Sequence, residues 1–397
     1  MRARSADAVR VAMVVPWFLP RIGGAETQCY ALCAELQRGN GIAVPFLLTR
    51  RIEADHARSE SISGINVHRL GPARKGRLGE ALFLLAAFAR LVAARSSYDV
   101  VHCHTTSPLG LVSALAGRVC GKAVLLKLST NGDIDKLLAR VAGLRGRVKQ
   151  WLARQAFRHA VFIALNEDGA AELRRHGATR FRVLPNGVDT GAFKMPSEDD
   201  RAALREQRRC AETDFIVVFC GRFARQKGIG LLIEAFRKAA AQERPGLKLW
   251  LIGSSRWQEE CDAEVCQIGA GSDAVSVIDP VFPAAPLLQA ADLFVLPSYR
   301  EGMPNAALEA CACGLPALLS DIAPHREFVR DNPKVVARLF KSGDAGDLRA
   351  HLGGMIADLR ARSWRDRPKS GIEARFGISQ VAAQYAALYR ESVTRRE

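Results

Sequence analysis

Short, continuously apolar and β-branched runs alternate with longer amphipathic segments along most of the chain, and the alternation stops once and restarts. The first series holds "VRVAMVV" (9–15), a helical run from Glu26 to Arg38, "VPFLLT" (44–49), "INVHRL" (65–70) and a helix near 78–95. It continues through "DVVHCH" (99–104), a helix near 108–120, "AVLLKLS" (123–129) and "HAVFIALN" (159–166). After "VLPNGVDTGAF" (183–193), whose Pro-Asn-Gly marks a turn, come "FIVVFCG" (215–221), a helix near 228–243 and "LKLWLIG" (247–253). "VSVID" (275–279), a helix near 284–291, "LFVLPS" (293–298), a helix near 304–312 and "PALLSD" (316–321) follow. Strands without polar alternation are buried on both faces, so each series predicts a doubly wound parallel sheet between helical layers. A chain of 397 residues also exceeds one ordinary core and suits two. The boundaries predicted are residues 1–188 for the first domain and 189–377 for the second. A terminal segment, 378–397, carries Val381, Tyr385, Leu388 and Tyr389 at helical spacing and needs a surface to pack on.

Apolar residues make up 48% and charged residues 25%, which excludes a disordered chain. The longest apolar stretch, "ALFLLAAFARLVAA" (81–94), is interrupted by Arg90 and falls short of the roughly 20 residues that span a bilayer. Pro16 and Pro20 break the apolar run near the start, so a leader peptide is not expected and the location expected is cytoplasmic. The 10 cysteines show neither a disulfide framework nor paired metal-ligand spacing, which fits that location. The net charge of +16 is unevenly placed: residues 1–190 hold 28 Lys and Arg against 14 Asp and Glu, and the remainder is nearly balanced. The first domain is therefore expected to face something anionic. The helix near 78–95 joins Leu82, Phe83, Leu85, Ala86 and Phe88 to flanking Arg74, Lys75, Arg77, Arg90 and Arg95, a composition suited to an anionic membrane surface as well as to a core helix with solvated ends.

In open parallel sheets ligands gather beyond the carboxyl ends of the strands. One such place is "YREGMPNAALEACACGLP" (299–316), with Glu301 and Glu309 eight positions apart around a Gly302-Met303-Pro304-Asn305 corner. Pro304 suits a helix start and Gly314 a helix end, and the amide-rich start attracts phosphate. Two acids beside such a site serve sugar and ribose hydroxyls. In "GRFARQKGIGLLIEAF" (221–236) Arg222 directly follows a strand and Lys227 stands at the next helix entry, both suited to clamping a diphosphate. "PRIGGAE" (20–26) offers Gly23 and Gly24 for close backbone approach to a ligand. "VHCHTTSP" (101–108) sets His102 and His104 on one face of a strand end, where His104 is the candidate for touching donor sugar or acceptor hydroxyl. No further ligands join the two histidines into a metal site, and none is expected.

Those segments, from "GGAE" through "DVVHCH", "VLPNGVD", "GRFARQKGIGLLIEAF", "LWLIG" and "ADLFVLPSYREGMPNAALEACACGLPALLSD", resemble the retaining glycosyltransferases of family 4 (glycosyl transferases group 1). The resemblance implies an α/β, GT-B fold: two Rossmann-like doubly wound parallel-sheet domains facing across a cleft, with the terminal helix returning to the first domain. It implies transfer of a hexosyl group from a nucleotide diphosphate sugar, UDP by family frequency, to a saccharide or lipid-linked saccharide of cell-envelope synthesis. Arg222 and Lys227 match the diphosphate clamp, Glu309 the ribose contact, Glu301 the donor-sugar contact, and Gly253 and Gly302 to Asn305 further donor contacts. His104 matches a histidine near the donor sugar, with His102 the competing assignment, and catalysis is expected from His104, Glu301, Arg222 and Lys227. Acceptor contacts fall to His102 and Asn131, the latter in "LSTNGD" where many members carry His-Gly. Retention, no required metal and no cofactor are expected. A nucleotide-sugar epimerase of the same architecture is the alternative. A nucleic-acid-binding protein is disfavoured because the excess charge is not joined by a binding motif or a stacking platform.

Overall fold

A computed structural model describes residues 8–39, 41–74, 76–139, 143–240, 246–254, 274–361, 367 and 369–394. The side chains of Lys75 and the ends of some sequence segments above fall outside them. The chain divides into two compact units, residues 1–187 with 378–397, and residues 188–377.

In the first unit β1 (Val9–Val14), β3 (Leu47–Arg50), β5 (Ile65–Leu70), β6 (Val100–Cys103), β7 (Ala123–Lys127), β8 (Val161–Ala164) and β9 (Phe181–Val183) run parallel. β2 (Ile42–Ala43) pairs with the start of β1, and β4 (Ser59–Ile62) pairs antiparallel with β5. The order β4-β5-β3-β1-β6-β7-β8-β9 reverses direction between β1 and β6. Two details depart from the sequence pattern. The single strand expected over 44–49 is split, because Pro45 has no N–H for the ladder, although Val44 and Phe46 remain buried. The edge hairpin β4–β5 makes the sheet mixed; it turns at Ser63 and Gly64, both at positive φ.

Helices α2 (Gly76–Ala93), α3 (Pro108–Val119), α4 (Asp133–Leu138), α5 (Gly143–His159) and α6 (Glu167–Arg175) contribute to one core layer; α1 (Gly24–Leu36) and the terminal helix contribute to the opposite one. The terminal helix, Ile378–Thr394, packs on α1, β1 and β6, burying Val381, Tyr385, Leu388 and Tyr389. Each such side chain contributes about 1.5–3 kcal/mol, so the helix is an integral part of this unit.

In the second unit β10 (Phe215–Cys220), β11 (Leu247–Ile252), β12 (Val275–Ile278), β13 (Leu293–Leu296), β14 (Ala317–Ser320) and β15 (Ala337–Phe340) form a fully parallel sheet in the order β12-β11-β10-β13-β14-β15. Its direction reverses between β10 and β13. Around it lie α7 (Glu198–Gln207), α8 (Ile229–Ala240), α9 (Ala285–Ala290), α10 (Asn305–Ala312), α11 (Ala323–Asp331), α12 (Ala345–Arg360) and α13 (Glu373–Phe376); the terminal helix is α14. At the amino ends of β10 and β13, Asp292 accepts hydrogen bonds from Arg201 (2.6 Å), Arg205 (3.2 Å) and the Ile216 amide (2.8 Å), fastening α7 to the sheet.

Candidate active site

A strand-order reversal opens a crevice beyond the carboxyl ends of the two strands flanking it. In the second unit those ends lead into Gly221-Arg222 after β10 and Ser298–Glu301 after β13.

The segment after β10 turns through a 3-10 helix, Arg225–Lys227, closed by Gly228 at φ +65°. A Cβ at Gly228 would lie 2.3 Å from the Pro297 carbonyl oxygen, so only glycine lets the two segments touch. The Tyr299 amide donates to the Gln226 carbonyl at 2.8 Å, locking this turn to the loop after β13. Lys227 Nζ then donates to Glu301 Oε1 at 2.6 Å, and Ser298 Oγ donates to the same oxygen at 2.6 Å. Glu301 is 7% exposed, and both of these hydrogen bonds fall on one oxygen, Oε1. Behind it Ser320 Oγ donates to the Ser298 carbonyl at 2.5 Å, and the buried His325 Nδ1 donates to the Ser320 carbonyl at 2.8 Å. Burial pushes the His325 imidazole down to about 4, against an opposing pull from Glu301, so the ring is a neutral brace.

Glu309 lies within α10, and among the described residues its carboxyl has no hydrogen-bond partner. Burial raises it to about 8. Burial raises the half-buried Cys220 thiol at the end of β10; the Glu309 carboxyl adds to this and Lys227 opposes it. Arg222, two residues beyond Cys220, is half-buried. The structure thus brings Lys227 and Glu301 into contact beyond β10 and β13, with Arg222 following β10 and Glu309 on α10 acting on Cys220.

Gly302 and Pro304 are buried and Met303 and Asn305 half-buried at the start of α10. Pro304 is the N-cap rather than a first-turn residue, and Gly314 at φ +80° ends the helix. No side chain caps α10 and no acid occupies its first turn. Gly253 ends β11 under a backbone constraint, since a Cβ there would sit 1.9 Å from the Gly221 carbonyl oxygen.

The first unit handles its helix starts differently. Gly23 is the N-cap of α1, and Gly24 opens the helix, but the Glu26 carboxyl folds to within 2.6 Å of where a Gly23 Cβ would stand. Glu172 likewise accepts from the amides of Gly132 (2.8 Å), Ile134 (2.8 Å) and Asp135 (2.9 Å) at the start of α4. With an acid of their own at each start, these two loops suit neutral hydroxyls better than phosphate. Asn131, next to Gly132, is half-buried and donates weakly to Asp168 at 3.4 Å.

His102 and His104 do share a face, with ring centroids 4.2 Å apart. His102 is fully buried, its Nδ1 2.7 Å from Tyr389 Oη and its ring stacked on Tyr385 at 5.2 Å, so α14 covers it. His104, 2% exposed, ends the strand with a buried Nε2 that has no partner among the described residues. Burial, then the neighbouring His102 and Lys127, hold its ring well below the usual histidine range, and therefore neutral. Lys127 itself is pushed down to about 8 by burial, its Nζ 5.4 Å from the Tyr385 ring centroid. Ser298, Ser320, His325 and Lys127 were not singled out from sequence, although each stands at or just beyond a strand's carboxyl end or on the helix after it.

Two family descriptions match this chain: "Glycosyltransferase Family 4" over residues 22–192 and "Glycosyl transferases group 1" over residues 214–358. Alpha-maltose-1-phosphate synthase of Mycolicibacterium smegmatis is 26% identical over 399 residues, covering 96% of this chain and 99% of that one. The GDP-mannose:cellobiosyl-diphosphopolyprenol alpha-mannosyltransferase of Xanthomonas campestris is 28% identical, covering 81% and 80%. Among solved structures, the Anabaena protein Alr3699/HepE in complex with UDP-glucose superposes with a TM-score of 0.74 at 20% identity, covering 96% and 99%, a likeness of fold. With both halves matched in order and two parallel-sheet α/β units observed, this chain belongs to the family 4 glycosyltransferases of the GT-B fold.

Proposed function

We propose that this glycosyltransferase moves a hexosyl group, with retention of anomeric configuration, from a nucleotide diphosphate sugar to a saccharide or lipid-linked saccharide of cell-envelope polysaccharide synthesis. A UDP-sugar is the donor to test first. The observation that carries the reading is the Lys227–Glu301 contact at the strand-order reversal of the second unit.

In this reading Arg222 and Lys227 hold the diphosphate and take up negative charge as the bond to the anomeric carbon breaks. Lys227 has three N–H donors, so it can keep Glu301 while binding a phosphate oxygen. Preorganised donors of this kind contribute roughly 3–4 kcal/mol each to a transition state, and no divalent ion is then required. The start of α10, Gly302 to Asn305, turns the positive end of that helix toward the same anionic group. Glu309 accepts from ribose hydroxyls and Glu301 Oε2 from a donor-sugar hydroxyl, with Gly253 allowing close approach. In the first unit Gly23, Gly24, neutral His104 and Asn131 contact uncharged hydroxyls of donor sugar or acceptor. The acceptor oxygen bonds to the anomeric carbon on the face the nucleotide leaves, and its proton passes to the departing phosphate oxygen. This route needs no enzyme nucleophile.

The mannosyltransferase of Xanthomonas is named for a diphosphopolyprenol-linked acceptor, and the basic first half of the present chain suits a protein working beside anionic lipid. No helix among the described residues is long and apolar enough to cross a membrane; in this reading attachment is peripheral, on the cytoplasmic face.

A thermal-shift screen of nucleoside diphosphates and their sugars tests the donor. Stabilisation by one nucleotide series supports the reading, and indifference to all of them removes it. Donor incubated without acceptor separates the epimerase alternative: a transferase hydrolyses it slowly at most, whereas an epimerase yields a second nucleotide sugar. Activity surviving a chelator supports metal independence; its loss and recovery with a divalent ion would overturn that part.

A further inference from the structure

Of the 12 large hydrophobic residues exposed among the described residues, 7 lie on three helices of the first unit, α2, α3 and α5. α3 packs against both α2 and α5 within the same layer. On α2 the exposed residues are Leu78 (52%), Leu82 (42%) and Leu85 (66%); on α5 they are Leu144 (77%), Val148 (49%) and Trp151 (50%). Both triplets step by four and then three positions, the spacing of one continuous helical stripe. Val119 (61%) adds an apolar side chain at the end of α3.

Neither stripe is needed by the core. Phe83, Ala87 and Leu91 already bury the inner side of α2, and Ala153 and Ala156 that of α5. The charge on these helices is nearly all positive: α5 contains no acid, α3 none, and α2 only Glu80. Exposed Arg147, Arg154 and Arg158 accompany the α5 stripe, Arg118 the end of α3, and Arg77 the start of α2.

We propose that α5, together with α2, docks the first unit on an anionic lipid bilayer, its Leu144–Val148–Trp151 stripe entering the acyl–headgroup boundary and its arginines pairing with lipid phosphates. Apolar side chains wetted on one face and ringed by cations, with an aromatic ring midway, match what an interfacial helix requires. A protein partner would need a densely acidic surface to match the same face. The inference extends the proposal of a lipid-linked acceptor but rests on surface chemistry, not on the donor site. It explains why α5 is so rich in arginine: the cations lie where phosphates would be, and long side chains can reach them while the apolar residues go deeper.

The test is co-sedimentation of the full chain with vesicles of phosphatidylcholine alone or with about one-third phosphatidylglycerol, at low and high salt. Wild type is expected on the anionic vesicles only, and less so in high salt. Val148→Ser with Trp151→Ser is expected to weaken this by roughly tenfold from the apolar surface removed. Arg147→Gln with Arg154→Gln is expected to weaken it by roughly fivefold per charge. Unchanged melting temperatures show that these surface variants fold. Equal partition into both vesicle types overturns the proposal, as does binding that the α5 variants leave intact. Self-association abolished by the same variants, without vesicle binding, assigns the face to a second copy and also overturns it. Vesicle binding by a protein that fails to use any lipid-linked acceptor leaves the docking surface standing and rejects the acceptor instead.

Discussion

Glu309→Gln should make the protein more stable, and increasingly so as pH rises. Burial raises the Glu309 carboxyl from its ordinary 4.5 to about 8, and no neighbouring group among the described residues repays its ionisation. The folded state then keeps this proton over a range where the unfolded chain has lost it. The stability that Glu309 contributes is complete below about pH 4.5 and is lost as pH rises through about 8. Converted in full, such a shift is worth at most about 5 kcal/mol; because the residue keeps part of its surface, screening reduces this to roughly 2–3 kcal/mol. Glutamine is nearly isosteric and cannot ionise, so the variant lacks the loss. For a unit of this size the gain corresponds to roughly 4–12 °C in Tm. Scanning calorimetry of both proteins at mildly acidic and mildly alkaline pH reads it directly, on the transition that a bound nucleotide raises. The difference in Tm should be small in acid and grow across neutrality. A constant difference, or wild type the more stable at alkaline pH, would refute the reasoning, because Glu309 would then already have a partner.

Lys227→Met should lower kcat by roughly a hundredfold to a thousandfold with a smaller effect on KM, since the ammonium acts mainly on charge that develops as the nucleotide leaves; steady-state kinetics on the folded variant checks this. Asp292→Asn should cost about 3 kcal/mol, because Arg201 and Arg205 lose the carboxylate they share in a buried setting. Calorimetry should show a fall in Tm while nucleotide affinity stays the same, as Asp292 lies at the amino ends of the strands.

Most strands were readable because a parallel strand covered on both sides is a continuous apolar run, as in "FIVVFCG" or "LFVLPS". β4 was not, since its residues are largely exposed and carry no continuous apolar run. The helix α5 was hidden by its arginines: its buried side consists of small residues, a weak signal against so polar a background. Within the site, Glu301 and Glu309 stood out through their spacing, and Arg222 and Lys227 through their place after a strand. Ser320 and His325 did not, because their connection to Glu301 runs through Ser298 and arises only when β13 and β14 lie side by side. His102 shows the limit of periodicity most clearly. Alternation indicates which face a side chain takes, but Tyr389, which covers it, comes from 287 positions further along the chain.

The central claim is that Arg222, Lys227, Glu301 and Glu309 together hold one nucleotide diphosphate sugar. Titration calorimetry of the donor found by screening, against wild type and Arg222→Ala, tests it most directly. Wild type should bind at one site per chain, and Arg222→Ala roughly 30-fold or more weakly. Equal affinity in the two proteins would contradict the account.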